Sequence, residues 1–244
     1  MHHNLKNKQS LIPHKFGIKQ SLLLRNNPIL TDYQIEILKI FFSSSLGRQF
    51  FLTGGTALAA FYLGHRLSKD LDLFSIEEFD SLELQKIIEQ IADKTHSTVT
   101  TKVKTQNYNE VYFENTKLGW IQKVDFIKDQ PILFGERKKV DLVIVDSLEN
   151  ITAGKILAIF GRLEAKDFLD LYFICKETGL NFFKLFEKTK KKDTGLDEFY
   201  FANMLSEVVN IRDFPKTLKP FNKKELVKFF MEISDKLYSK IKPA

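Results

Sequence analysis

Apolar positions recur along the chain with two periods, and the balance between them changes once. From Thr31-Asp32, a capping start, the spacing of Ile35, Leu38 and Phe42 is helical. The run Phe50-Phe51-Leu52-Thr53 is short and apolar, which predicts a buried strand over 49–53. Thr56 to Leu63 reads as an apolar helix, with Thr56 a candidate cap and Gly64 the terminator. Polar and apolar residues then alternate through Asp70-Leu71-Asp72-Leu73, the mark of a strand over 70–74. A helix opening at Asp80 or Ser81 carries Leu84, Ile87, Ile88 and Ile91 on one face. The Thr/Val-rich stretch from Ser97 to Lys104 is strand-like. Glu110–Glu114 and Leu118–Ile127 are expected to pair as a hairpin about Asn115-Thr116-Lys117, and Val140–Val145 forms one further strand. After Ser147 every segment has helical spacing, at about 148–163, 167–178, 180–190, 196–209 and 223–240. The pattern predicts an α+β class: a mixed α/β front over 31–146 and an all-helical back over 147–244. Residues 1–30, interrupted by Pro13 and Pro28, read as a weakly structured leader.

Composition narrows the class. At 244 residues, with 43 % hydrophobic and 28 % charged positions, the chain is long enough to bury a sizeable core. No apolar run approaches the roughly 20 residues that span a bilayer, and the start lacks the apolar core of a secretory signal. The single Cys175 excludes an intrachain disulfide and fits a reducing cytoplasm. Its helical, apolar neighbourhood makes it a small core residue rather than a nucleophile. Net charge is +6, and the leader carries five Lys/Arg and no acid before Asp32. A second basic run, Lys188-x-Lys190-Lys191-Lys192, follows late. This balance permits a polyanionic partner, although each lysine taken singly reads as solvated surface. The abundant Phe falls at core positions, not in a base-stacking pattern. Neither a P-loop, a dinucleotide fingerprint nor a nucleophile elbow is present.

The candidate chemistry clusters around 53–72. Strand alternation puts Asp70 and Asp72 on one side, where two anions repel unless a cation lies between them. Mg²⁺ prefers one or two carboxylates plus substrate phosphates. Gly54 and Gly55, lacking Cβ atoms, let backbone N–H groups approach a phosphate at a helix start. The hydroxyls of Thr53, Thr56 and Ser68 flank this loop, with Ser68 within reach of a phosphate oxygen. His65 and Arg66 are candidate phosphate or RNA contacts, and the plainer reading of His65 is a polar residue at a helix end. Asp125, flanked by Val124 and Phe126, is an acid that needs a partner if buried; Asp141 is the rival third carboxylate. Lys155 and Arg162 lie two turns apart on one helical face, and Lys166 joins them if the helix continues. Such a stripe suits a triphosphate. The plainer alternative is that Arg162 pairs with Asp167 or Asp170.

The string Gly54-Gly55-Thr56-Ala57-Leu58…His65-Arg66-x-Ser68-x-Asp70-x-Asp72-Leu73, with Lys155-x6-Arg162-x3-Lys166-Asp167-Phe168-x-Asp170 later, resembles the AbiEii/AbiGii-type toxins of abortive-infection systems. These are a branch of the DNA polymerase β-like nucleotidyltransferases, and the resemblance spans roughly residues 48–175. It implies a mixed sheet flanked by helices, followed by a helical bundle that closes one side of a nucleotide cleft. It also implies two Mg²⁺ ions, with Mn²⁺ as a substitute, held by Asp70, Asp72 and Asp125. By the same resemblance Lys155 is the fourth catalytic residue, and Gly54, Gly55, Thr56, Arg66, Ser68, Lys155, Arg162, Lys166 and Asp167 hold the NTP. The implied acceptor is tRNA at its 3′ end, in a phage-defence system with a separately encoded antitoxin. Three other readings stay open: transfer to a small alcohol of the aminoglycoside type, transfer to a protein hydroxyl, and a non-catalytic RNA- or protein-binding module on this scaffold.

Overall fold

The computed structural model describes Leu24 and residues 27–241. Most of the basic leader therefore lies outside the described residues. Its end is seated on the body: Leu24 is buried and its N–H donates to Asp141 Oδ2 at 3.1 Å. Asn27 Oδ1 accepts from the N–H of Ile29, and its amide donates to the Ala60 carbonyl at 2.8 Å.

Among the described residues the elements alternate at first and are helical later. Helix α1 (Asp32–Phe42) opens with a reciprocal capping box, Thr31 accepting from Gln34 N–H while Gln34 accepts from Thr31 N–H. Strand β1 (Phe50–Thr53) runs directly into α2 (Gly54–Leu58), which widens over Ala59–Leu63 and ends at Gly64 with φ +62°. Strand β2 (Leu71–Ser75) follows, then α3 (Ser81–Thr95), whose Asp80 cap accepts from two backbone N–H groups. Strands β3 (Thr98–Lys104), β4 (Tyr108–Asn115) and β5 (Trp120–Lys128) form a meander, and β6 (Lys138–Val140) and β7 (Val143–Val145) a tight hairpin. Five helices close the chain: α4 (Leu148–Gly161), α5 (Ala165–Thr178), α6 (Phe182–Thr189), α7 (Glu198–Ser206) and α8 (Lys223–Tyr238).

The seven strands make one mixed sheet in the order β3-β4-β5-β2-β1-β7-β6. Only β2–β5 and β1–β7 are parallel. Phe41 of α1 packs on Phe50 of β1 and Phe126 of β5, each pair with centroids 5.3 Å apart, and so pins that helix under the sheet centre. One continuous buried cluster runs from Leu24 to Leu237 and joins sheet and helical part. The change of character near residue 146 therefore falls at the start of α4, above a shared core.

Three local expectations need correction. The strand drawn over Val140–Val145 is two strands, because Asp141 takes φ +52° and turns the chain between them. The helix at 54 starts at Gly54, two residues before Thr56. Helix α4 stops at Gly161, where Arg162 becomes extended, and so does not continue to Lys166.

Candidate active site

The site lies where the end of β1 and the start of β2 meet the middle of β5. In the parallel pairing of β2 with β5, Asp72 stands directly beside Asp125. In the antiparallel pairing of β1 with β2, Thr53 stands on the other side of Asp72. The glycine turn that leaves β1 is thereby delivered against the same carboxylate. Gly54 has φ +69°, and a Cβ there would lie 1.9 Å from Asp72 Oδ2. A Cβ on Gly55 would lie 2.6 Å from Arg66 Nη2 and 3.0 Å from Ser68 Oγ. Both glycines are required by the closeness of what surrounds them.

Around this junction opens a cleft of about 710 Å³, into which Gly54, Gly55, Arg66, Ser68, Asp70, Asp72, Asp125, Lys155, Arg162 and Lys166 all project. Burial first, and then the Asp125 charge, push the Asp72 carboxyl up to about 6; Lys155 opposes the shift and Asp70 adds to it. Asp125 is likewise raised, by burial above all. Asp70 sits just ahead of β2, and its carbonyl accepts from Thr56 Oγ1 at 2.5 Å.

Behind the cleft wall is a buried ionic knot. Asp170 of α5 accepts from Arg66 through both Nε (2.6 Å) and Nη2 (2.7 Å), from His65 Nε2 at 2.7 Å, and faces Lys155 Nζ at 2.7 Å. Lys155 also reaches Asp167 Oδ1 at 2.9 Å, and Arg162 Nε donates to Asp167 Oδ2 at 3.0 Å. Burial alone would raise Asp170, yet Lys155, Arg66 and His65 hold it far below the usual carboxylate range. Burial alone would lower Lys155, and Asp170 and Asp167 reverse that. His65 is lowered chiefly by burial, against the opposing pull of Asp170, and its Nδ1 has no hydrogen-bond partner.

Several expected residues play other parts than their sequence suggested. Thr56 is fully buried and caps nothing, since the cap position is Thr53; its hydroxyl ties α2 to the backbone ahead of β2. Thr53 Oγ1 donates to the buried Asp146 at 2.6 Å. Asp167 lies beneath the cleft floor, between Lys155 and Arg162. Arg66 has its nitrogens engaged by Asp170 and the Leu67 carbonyl, while still forming cleft wall. Arg162 and Lys166 do share the cleft with Lys155, although the turn after Gly161, not a common helical face, brings them there. Asp141 is remote, in the β6–β7 turn.

Sequence reasoning missed Tyr108, Glu110 and Lys123. Lys123 Nζ lies 2.9 Å from Asp125 Oδ2 and 3.1 Å from Glu110 Oε2. Tyr108 OH lies 2.9 Å from Glu110 Oε2 and 3.3 Å from Asp125 Oδ1. Period 2 counted back from Asp125 reaches Lys123 and was available from the sequence. Glu110 was not, because its position opposite Asp125 depends on the length of the hairpin turn.

Whether the acids suit a divalent cation can be judged from these contacts. The donors are hard oxygens, and two of them, Asp72 and Asp125, stand side by side in a cleft with repulsion to relieve. Among the described residues no three carboxylate, imidazole or thiol groups already form a metal cage. Mg²⁺ needs only one or two carboxylates when phosphate completes its shell. The pair fits such an ion, with phosphate oxygens of the substrate completing its shell.

The family model described as nucleotidyl transferase AbiEii toxin, type IV toxin–antitoxin system, matches residues 36–239. A curated relative, an uncharacterized protein of Aquifex aeolicus (strain VF5), is 29 % identical over 187 residues, 75 % of this chain and 84 % of that protein. Among solved structures, a candidate nucleotidyltransferase of H. pylori superposes with TM-score 0.57 at 18 % identity, covering 86 % of this chain and 97 % of its own. JHP933 from Helicobacter pylori gives TM-score 0.56 at 17 % identity, covering 91 % and 94 %. At such identities the two structures speak for the fold alone. No helix among the described residues is long and apolar enough to cross a membrane.

Proposed function

The chain belongs to the AbiEii nucleotidyltransferase toxin family, and from that premise we propose that it transfers a nucleoside monophosphate from an NTP to RNA, the 3′ end of tRNA being the acceptor. The observation that carries this reading is the register of β2 on β5. It sets Asp72 beside Asp125 in a cleft that the Gly54-Gly55 turn also lines, directly against Asp72.

In the proposed reaction the acceptor hydroxyl oxygen bonds to the α-phosphorus, the α–β phosphoanhydride breaks, and pyrophosphate leaves. Asp72 and Asp125, with Asp70 at the strand's edge, would hold Mg²⁺ or Mn²⁺, which when bound supplies charge neutralisation and activation of the attacking oxygen. Asp125 receives the hydroxyl proton. Backbone N–H groups at Gly54 and Gly55 and the Ser68 hydroxyl receive phosphate oxygens. Arg162, exposed at the rim, and the half-buried Lys166 beside it pair with the charge of the leaving pyrophosphate. Lys155, locked between Asp167 and Asp170, fixes the floor and contributes positive potential toward Asp72. Arrest of translation in phage-infected cells, relieved by an antitoxin encoded apart from this chain, completes the reading.

The test incubates purified protein with Mg²⁺ and α-³²P-labelled NTPs, in parallel with total tRNA, a panel of small alcohols, and tRNA-free cell extract. Label on tRNA is the expected result. Label only on the alcohols or only on proteins would overturn the RNA acceptor and favour those alternatives. If expression arrested growth even with Asp70→Ala and Asp72→Ala combined, the non-catalytic module would replace the enzyme.

A further inference from the structure

Lys123 holds one oxygen of the Asp125 carboxylate. Its ammonium sits between two carboxylates, 2.9 Å from Asp125 Oδ2 and 3.1 Å from Glu110 Oε2, on the strand face that opens into the cleft. Glu110 in turn accepts from the Tyr108 hydroxyl. A divalent cation on the Asp125 carboxylate and the ammonium on its Oδ2 repel each other at close range. A cation arriving at Asp125 therefore competes with Lys123 for its charge. Glu110 already offers the displaced ammonium its next partner, and a lysine's flexible four-carbon stem permits the move without backbone change.

We propose that Lys123 is a tethered counter-ion that neutralises Asp125 in the metal-free chain and yields it to a divalent cation by withdrawing onto Glu110. It thereby sets the cation concentration at which the site loads. Lys123 is a positioning residue, acting through Asp125. The inference rests on the reading of Asp72 and Asp125 as cation ligands, so its test must separate the two. It also assigns Glu110 a purpose that catalysis alone does not require.

The experiment is direct Mn²⁺ binding to the full chain without nucleotide, read by the free-ion electron paramagnetic resonance signal. The loss of one charge-assisted contact competing at Asp125 predicts that Lys123→Met binds Mn²⁺ about tenfold more tightly than wild type. Glu110→Gln, which removes the resting place, binds several-fold more weakly. Lys102→Met removes the same charge two strands away, where Lys102 lies over the Tyr112 ring, and stays within about twofold of wild type. Lys123→Gln repeats the first arm should the methionine variant fold poorly. Wild-type or weaker binding by both Lys123 variants overturns the proposal, as does an equal gain in Lys102→Met, which would reduce the effect to net charge. Asp72→Asn separates the premises: wild-type affinity there puts the ion elsewhere and overturns the metal site and this proposal together. Loss of binding in Asp72→Asn with no gain in the Lys123 variants overturns the counter-ion alone.

Discussion

At the scale of single residues, Asp72 carries the tension of the site. Its folded-state carboxyl is raised to about 6 from the ordinary 3.8 of an exposed aspartate, so between those values the folded chain keeps a proton that the unfolded chain has released. Stability must then fall as pH rises through this window, with the whole penalty in place above pH 6. Asp72→Asn removes the penalty. In the metal-free protein it should stabilise the fold above pH 6 by up to about 3 kcal/mol, read as a higher Tm, and the gain should vanish below about pH 4. Thermal melts at pH 4, 6 and 8 in EDTA check this, and a pH-independent difference would contradict it. Gly54→Ala should abolish transfer, because its Cβ would overlap Asp72 and its φ of +69° disfavours any side chain. The acids were legible as residues, since an Asp between leucines in an alternating run has few structural excuses. Thr56 and Arg66 were less so. Whether a hydroxyl or a guanidinium points to the ligand or into the body is decided by neighbours far away in sequence, here Asp70 and Asp170.

At the scale of elements, the cleft depends on two junctions. The first is the knot joining α5 to the segment after α2. Removing the Asp170 charge leaves Arg66 and Lys155 buried with too little compensation, so Asp170→Asn should cost about 3–5 kcal/mol of unfolding free energy. Denaturant titration measures it, and a loss below 1 kcal/mol would show that the knot is not structural. The second junction is the β4–β5 hairpin. A turn centred on Thr116 would pair Asp125 with Asn107, whereas the observed turn over Thr116–Gly119, with Gly119 at φ +66°, brings Glu110 opposite. That shift hid the Glu110–Lys123 pair from the sequence. Alternation made the strand around Asp72 easy to read, and strong helical periodicity did the same for α6 and α8. Where signals were local, as at Gly161 or Asp141, the boundaries were lost, because a turn is set by one residue's backbone and not by a repeating pattern.

At the scale of the molecule, the sheet contributes Asp72 and Asp125, and the basic groups come equally from Arg66, Lys69 and Lys123 in the front and Lys155, Arg162 and Lys166 in the back, with one core beneath both. A fragment ending at Val145 would expose the apolar face of α2, which meets α4, and that of the turn after it, which carries Phe61 and meets α5. It should therefore lack a cooperative melting transition, and a sharp one would show an independent front domain. The general class and the site's catalytic face could be read from the chain because motif and periodicity agreed there. The acceptor could not, since RNA recognition depends on a surface that no local pattern marks. The most direct measurement of the central claim runs α-³²P- and γ-³²P-labelled NTPs side by side, with tRNA and Mg²⁺, on wild type and Asp72→Ala. Acceptor labelling from the α-label alone, lost in Asp72→Ala while the protein remains folded, is the predicted result. Labelling from the γ-position, or α-labelling that survives the substitution, would contradict it.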